Sequence, residues 1–278
     1  MAQFITGSKG VDILPSVPVS LLIDSRDRDY AKYPTSHTFT VKLPKTFRNI
    51  VSARLVTVEM PSSYYVFTAA RGNTSITLTC DGTTLTATIP DGNYTSSSMA
   101  AALQASLASA FSTPFTCTVD AITQRLSISA AAIASISVLT TSTGPMSATW
   151  ALAGYLGFAM NVAASGITVI APRMMNTNPE NYILVDIPEL GRIQESAMNG
   201  GGGAASTACF AKIPLNVPSY NIVYYDKVIT WNALTPAISK LDKITVSYRF
   251  HDGTPVDLQY MENSMTLELT VVNDTHVV

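Results

Sequence analysis

The chain has 278 residues, in which 17 basic side chains nearly balance 19 acidic ones, giving a formal net charge of −2 at pH 7. Hydrophobic residues make up 47% of the sequence, and charged residues only 13%, about half of the roughly 25% that is typical of soluble proteins. This composition excludes a wholly disordered chain. The lack of any Lys/Arg run argues against a surface that binds nucleic-acid phosphates.

From the amino terminus onward, apolar and polar residues alternate in a way that is typical of strands with one buried face. In Lys243–Phe250, for example, Ile244, Val246, Tyr248 and Phe250 would all face the core. The pattern predicts eight antiparallel strands and therefore a single jelly-roll sandwich over residues 16–70 and 172–278. The predicted strands are Pro18–Asp24, His37–Leu43, Ile50–Met60, Asn181–Ile187, Thr207–Ile213, Asn221–Trp231, Lys243–Phe250 and Ser264–Val272.

Residues 71–171 show a different pattern, which predicts a small α+β subdomain inserted between the third and fourth strands of the sandwich. An Asp81-Gly82 turn and a helix with an apolar stripe at every fourth position are its clearest signals. The predicted ββαββ elements are Ser75–Thr79, Thr84–Ile89, Ser96–Phe111, Phe115–Val119 and Gln124–Ser129.

An uncharged tract, Trp150–Ala171, is long enough to span a bilayer. Because Gly154, Gly157 and Asn161 interrupt it, we expect a buried helix or turn followed by a strand over Gly166–Ala171. A membrane-spanning segment is the alternative interpretation.

A search for catalytic residues finds no combination that would support chemistry. His37, His251 and His276 are isolated in the sequence, and Cys80, Cys117 and Cys209 lack the spacing of zinc ligands. No Gly-x-Ser-x-Gly motif is present. We therefore predict that the protein is not an enzyme and has no metal or cofactor, and that the cysteines are buried.

The most charged segment, Asp24-Ser25-Arg26-Asp27-Arg28-Asp29-Tyr30, directly follows the first predicted strand. Arg26 and Arg28 are expected to pair with carboxylates of this loop or of a neighbouring chain, while Asp24 caps the turn. Asp27 and Asp29 complete the predicted structural ion-pair motif. A contact between subunits and a Ca²⁺ site are the two alternatives, although the arginines would compete with calcium for the carboxylate oxygens.

The segment from Ile23 to Asp29, followed by Tyr33-Pro34, Phe39 and Leu43, resembles the amino-terminal pattern of penton and minor capsid proteins of large icosahedral nucleocytoplasmic DNA viruses. The resemblance implies a single jelly roll, in some members with an inserted domain, that forms capsid vertices or cements the major capsid protein. It continues through Asn49-Ile50-Val51, Val58-Glu59-Met60-Pro61-Ser62-Ser63-Tyr64-Tyr65, Asp91-Gly92-Asn93-Tyr94-Thr95, Leu103, Leu107 and Leu156-Gly157-Phe158.

The predicted function is therefore a structural component of an icosahedral capsid, with the penton protein at fivefold vertices as the leading interpretation. A minor (cement) capsid protein and a lectin-like attachment module are the alternatives. The expected partners are further copies of the chain in a pentamer, the major capsid protein and other minor capsid proteins, in virions assembled in the host cytoplasm. Candidate contact loops are Tyr30–Ser36, Asn199–Ala205 and His251–Pro255, and candidate glycan-stacking aromatics are Tyr64, Tyr65, Tyr220, Tyr224 and Tyr225.

Overall fold

The computed structural model describes residues 15–139, 151–158, 165–191, 209–226, 232–251 and 253–272. Contacts between Cα atoms divide the chain into two compact units, residues 1–64 with 180–278 and residues 65–179. Within the described ranges the helices are α1 (Ser96–Phe111) and α2 (Ala151–Tyr155). The strands are β1 (Ser16–Asp24), β2 (Thr38–Pro61), β3 (Ser75–Cys80), β4 (Thr83–Thr88), β5 (Thr116–Val119), β6 (Leu126–Ser129), β7 (Ile136–Leu139), β8 (Ser165–Gly166), β9 (Thr168–Ile170), β10 (Tyr182–Asp186), β11 (Ala211–Pro214), β12 (Ile222–Tyr225), β13 (Asn232–Arg249) and β14 (Ser264–Val272).

The strands of the first unit are hydrogen-bonded in the order β1-β14-β2-β13-β10-β11, and β12 pairs with the end of β2. Every one of these pairings is antiparallel. The prediction of a mainly β fold built from antiparallel strands is confirmed.

Strand β2 runs without a break through 24 residues, where the sequence predicted two strands, His37–Leu43 and Ile50–Met60. The two predicted strands merge because pairing with β13 continues across Asn49, which stays in the strand although its backbone is left-handed (φ 53°). The register shifts between Leu241 and Lys243 on β13, and again within β14. Such bulges bend a strand. Strand β2 pairs with β13 from Thr38 to Ala53 and with β14 from Ile50 to Glu59.

The core of the first unit consists of the inward-facing residues of these strands, as the alternation predicted. Burying each large side chain contributes roughly 1.5–3 kcal/mol to stability. The buried side chains include Ile23, Phe39, Val41, Leu55, Val58, Met60, Ile183, Val185, Ile244, Val246, Tyr248, Phe250, Met265, Leu267 and Leu269. Of the predicted strands Thr207–Ile213 and Asn221–Trp231, residues 207–208 and 227–231 lie outside the described residues.

The second unit contains all five predicted ββαββ elements, as β3, β4, α1, β5 and β6. They form two sheets, ordered β4-β3-β7-β8 and β5-β6-β9, so β7, β8 and β9 extend the predicted set. Helix α1 begins with a capping box, in which the Thr95 side chain accepts from the Ser98 amide and the Ser98 hydroxyl accepts from the Thr95 amide. Its buried residues Met99, Leu103 and Leu107 belong to the predicted apolar stripe.

The Trp150–Ala171 tract contains α2 and β9, in agreement with the predicted helix or turn followed by a strand; Trp150 and residues 159–164 lie outside the described part. None of the described helices is long and apolar enough to cross a membrane. Gly157, after α2, has φ +93°, and a Cβ atom there would lie 2.3 Å from the Arg173 carbonyl oxygen. A larger residue at this position would therefore need the backbone to move.

Candidate functional site

At the end of β1, Asp24 and Arg26 form a local ion pair around a single 3-10 turn, Ser25–Asp27. The Asp24 carboxylate accepts from the Arg26 amide at 2.9 Å, from Nε at 3.0 Å and from Nη2 at 2.5 Å. The Arg26 side chain is 71% exposed, whereas that of Asp24 is 10% exposed. The hydrogen bonds from Arg26 lower the pKa of Asp24, so this carboxylate stays charged while it caps the turn.

Arg28 is the buried member of the predicted motif, with a side chain that is only 2% exposed. Its guanidinium forms an ion pair with Glu262 and donates to the carbonyl oxygens of Ser25 at 2.7 Å and Tyr33 at 2.9 Å. The ring of Tyr30 covers it, 4.2 Å from the guanidinium carbon to the ring centroid. Burying a charge without such partners would cost several kcal/mol of folding free energy, so these contacts allow the charged Arg28 side chain to be buried.

Glu262, which ion-pairs with Arg28, lies just before β14. Burial opposes its ionisation, but hydrogen bonds from Arg28 and from the Ser25 hydroxyl (2.5 Å) lower the pKa of Glu262 overall. The residue is 234 positions from Arg28 in the sequence, and no local pattern identifies it as the partner.

Asn263 connects the same corner to the core. Its backbone amide donates to the Ser25 hydroxyl, and its side-chain nitrogen donates to the Ser36 carbonyl oxygen, both at 2.9 Å. Its side-chain oxygen accepts from the Tyr248 hydroxyl at 2.9 Å, and Tyr248 is fully buried. We call Ser25, Arg28, Ser36, Tyr248, Glu262 and Asn263 the polar corner. A buried polar network of this kind fixes one arrangement of its segments, because each broken hydrogen bond leaves a buried group unsatisfied.

The remaining residues of the predicted motif lie at the surface. Asp27 and Asp29 are exposed. The Asp29 carboxylate caps the next turn by accepting from the amides of Ala31 at 3.1 Å and Lys32 at 3.3 Å. The structure thus brings Asp24 to Arg26 and Arg28 to Glu262, and it places Asp27 and Asp29 beside them at the surface.

Next to the polar corner, five large side chains are exposed on neighbouring segments. These are Tyr220 (70%), Ile222 (66%), Tyr224 (54%), Tyr260 (76%) and Met261 (52%), which we call the tyrosine-rich end. Backbone hydrogen bonds hold the first of these segments against the residue after β2, since the Ser62 amide donates to the Asn221 carbonyl oxygen and the Tyr220 amide to the Ser62 carbonyl oxygen, both at 2.7 Å. A groove of about 280 Å³ lies here, lined by Asp24, Arg26, Glu59, Ile222, Met261 and Glu262 among others.

The sequence indicates only part of this surface. Tyr220 and Tyr224 are among the predicted exposed aromatics, whereas Ile222, Tyr260 and Met261 are not, because exposure at the end of a strand has no sequence signature. Tyr64 was wrong as a candidate for stacking on a ligand: it is 4% exposed, and its ring packs edge-on against Phe250 with centroids 5.2 Å apart. Of the candidate contact loops, Asn199–Ala205 and residue 252 lie outside the described residues.

The groups most capable of chemistry are dispersed. Cys80, Cys117 and Cys209 are buried, as predicted, and burial raises the pKa of Cys117 to about 12, which disfavours a reactive thiolate. The His251 ring bonds to the Tyr182 hydroxyl at 2.7 Å, and His276 lies outside the described residues. In the part of the chain that the structure describes, no three His, Cys, Asp or Glu side chains gather in a possible metal site.

In the second unit, an open groove of about 1090 Å³ runs between α1 and β5. It is lined largely by small side chains such as Ala101, Ala105, Ala108 and Thr118, and none of the described residues that line it is charged.

Comparison with solved structures shows that the fold is similar to that of a viral penton protein. The chain superposes on the crystal structure of the mavirus penton protein with a TM-score of 0.54 and 8% sequence identity, over 92% of this chain and 100% of that one. A chain from the Sputnik virophage structure gives a TM-score of 0.42 and 13% identity, over 92% of this chain and 97% of that one. At these identities the similarity concerns the fold alone.

Comparison of sequences adds little beyond this structural similarity. A model described as a family of unknown function (DUF5901) matches residues 11–135. No curated protein matches the chain.

Proposed function

We propose that this chain is a structural component of an icosahedral virus capsid, and specifically the penton protein at its fivefold vertices. The single observation that carries the proposal is the similarity of fold to the whole mavirus penton protein, over 92% of this chain. A fold can host several functions. The dispersed reactive groups and the exposed tyrosine-rich end add support for a role in assembly rather than in chemistry.

In this proposal the first unit is a single jelly roll and the second is a subdomain inserted into it. The division of the chain into residues 1–64 with 180–278 and residues 65–179 supports the insertion. The ion-pair motif Asp24, Arg26, Asp27, Arg28 and Asp29 has a structural role, which is to fix the corner beside the tyrosine-rich end. The partners are further copies of the chain, the major capsid protein and other minor capsid proteins, within the virion.

The mass of the purified protein and its position in particles test this function. A mass of five chains, measured by light scattering after size exclusion, and antibody label confined to the vertices of particles are the expected results. Label spread over the capsid faces would favour the alternative of a cement protein. Particles that lack the chain would overturn the capsid function.

A lectin-like attachment module is the second candidate, and the exposed rings of Tyr220, Tyr224 and Tyr260 are the observation that favours it. Aromatic rings over a polar groove are common in sugar-binding sites, but tyrosines are equally common in protein interfaces. A glycan array separates the two: specific hits that Tyr260→Ser abolishes would favour attachment, and an array without hits would remove it.

A further inference from the structure

Two tyrosines of the tyrosine-rich end have an unusual backbone conformation. Tyr220 and Tyr260 have φ values of 71° and 61°, and Gln259, which precedes Tyr260, has 53°. A left-handed conformation costs a residue with a side chain roughly 1–2 kcal/mol, and bulky residues adopt it rarely. Strain of this kind concentrates at functional sites. Because both rings are exposed, their burial within the monomer does not offset the strain.

The exposed area at this end is comparable with what one partner contributes to a stable interface. An aromatic side chain can bury about 150–250 Å². The five side chains of the tyrosine-rich end are each more than half exposed, and together they present roughly 700 Å² of accessible surface. Leu22 (70% exposed) and Tyr30 (53% exposed) lie nearby. A standard interface buries about 800 Å² per partner. Tyrosine and methionine are also enriched in such interfaces.

The tyrosine-rich end carries an excess of negative charge. Three carboxylates, those of Asp24, Glu59 and Glu262, line its groove, and the guanidinium groups of Arg26 and Arg28 pair with Asp24 and Glu262. The remaining negative charge means that two copies of this end would repel each other if they met face to face.

The opposite end of β1 carries the complementary charge. A groove of about 490 Å³ there is lined by Lys45, Arg48, Val17 and Val19, and none of its described lining residues is acidic. Lys45 and Arg48 are exposed, and Val17 is 42% exposed. We call this the basic groove. Val17 and Asp24 are seven residues apart on one continuous strand, so the two patches are separated by roughly 23 Å.

We propose that the tyrosine-rich end of one chain docks onto the basic groove of a second copy of this chain. Both patches lie on the first unit. A contact between two different patches is head-to-tail, and such contacts close into a ring when the rotation between neighbouring copies is a whole fraction of a full turn. The inference rests on the proposed function and deepens it, because it identifies the two surfaces through which copies in a capsid vertex meet. Opposite charges at the two ends fix the orientation, and the tyrosines supply the buried area.

The test uses the full chain with either surface altered. In the head variant, Tyr220→Asn with Tyr260→Asn, asparagine tolerates the left-handed backbone, so thermal stability should stay the same or rise. The dissociation constant for self-association, measured by sedimentation velocity, should rise at least about tenfold for each tyrosine removed. Ile122→Ser is the matched control, since Ile122 is 92% exposed but lies in the second unit, and it should leave association unchanged.

In the tail variant, Lys45→Glu with Arg48→Glu, the charge of the basic groove is reversed. Each variant alone should be monomeric at concentrations where the wild type self-associates. An equimolar mixture should give a dimer of one head variant and one tail variant and nothing larger, because one intact head meets one intact tail. A tail variant that still self-associates like the wild type would overturn the head-to-tail contact, as would a head variant with unchanged association.

These outcomes separate the inference from the proposed function. A wild-type chain that forms multimers untouched by either variant would overturn the surface assignment while leaving the capsid function standing. A wild-type chain that remains monomeric at all accessible concentrations would overturn self-association through these surfaces, and particle labelling would then decide the capsid function separately. Glycan binding that depends on Tyr260, without self-association, would assign the tyrosine-rich end to attachment instead.

Discussion

One site in each unit shows a different means of stabilisation. In the first unit the turn after β1, which Asp24 caps locally, is also held by a distant partner, as the Ser25 hydroxyl donates to Glu262, 237 residues later in the chain. In the second unit the start of α1 depends on residues three positions apart, Thr95 and Ser98. The local cap can form with its helix, whereas the polar corner forms only when both ends of the chain have come together. The start of α1 should therefore respond to local changes, and the polar corner to the loss of one distant partner.

The largest effect is expected from Gly157→Ala in the second unit. A Cβ atom would lie 2.3 Å from the Arg173 carbonyl oxygen, at a position that also requires φ +93°. Overpacking and left-handed strain together should lower the free energy of unfolding by about 4 kcal/mol, measured by urea denaturation. Gly82→Ala is the control, because Gly82 shares the positive φ (+83°) but has nothing within 4 Å, so about 1 kcal/mol is expected. Equal losses in the two variants would show that the close approach to Arg173 has no energetic role.

In the first unit, Glu262→Gln should be the most damaging conservative change. It leaves the guanidinium of Arg28, 2% exposed, without its counter-charge, and breaking a buried ion pair in this way costs about 3 kcal/mol. Arg26→Gln, which removes an ion pair whose arginine is 71% exposed, should lower the free energy of unfolding much less, because solvent screens this pair. Chemical denaturation of both variants measures the contrast. Similar losses from the two would refute the assignment of Arg28 and Glu262 as the stabilising pair.

The same contrast explains what could be predicted from the sequence. The Asp81-Gly82 hairpin and α1 were found because turn chemistry and a four-residue apolar period are local signals. The merging of two predicted strands into β2 was not found, because Pro44 and Asn49 are typical loop residues. Asn49 stays within β2 because its neighbours Arg48 and Ile50 pair with Lys240 and Ile238 of β13, which are distant in the sequence.

For the candidate site, the sequence identified the charged residues but not their partners. Asp24 with Arg26 is a pair two residues apart and was within reach of local reasoning. Glu262 and Asn263 were not, because their roles come from the antiparallel pairing of β1 with β14. The tyrosine-rich end was found only in part for a similar reason: it is assembled from two separate segments, 220–224 and 260–261.

A smaller, local effect is expected at the start of α1. Thr95→Ala removes the acceptor of the Ser98 amide and should lower the free energy of unfolding by about 1 kcal/mol. Ser109→Ala, at an exposed position in the same helix, is the control and should be neutral or slightly stabilising, because alanine is the better helix former. A Thr95→Ala variant as stable as Ser109→Ala would show that the capping box contributes nothing.

The smallest effects should come from two carboxylates, one in each unit, whose pKa values are lowered for different reasons. Hydrogen bonds from Arg26 lower the pKa of Asp24, whereas hydrogen bonds from the amides of Ala134 and Ser135 lower the pKa of Asp81. A folded-state pKa below the unfolded value stabilises the fold above the unfolded pKa, and the stabilisation is lost as the pH falls through the folded pKa. At pH 7 the wild-type protein should therefore be more stable than both Asp24→Asn and Asp81→Asn. This difference in stability should shrink as the pH falls below 3.8, the ordinary pKa of an aspartate.

Salt separates the two causes of these pKa shifts. Arg26 is largely exposed, so about 0.5 M NaCl should screen its attraction to Asp24 and reduce the destabilisation caused by Asp24→Asn. The Asp81 carboxylate accepts from uncharged amides at 3.1 and 2.8 Å, and these short hydrogen bonds involve no second ion to screen. The destabilisation caused by Asp81→Asn should therefore persist in salt. Thermal unfolding of both variants at low and high salt measures this difference, and equal salt sensitivity would show that Asp24 is stabilised by its cap hydrogen bond to the Arg26 amide rather than by the Arg26 charge.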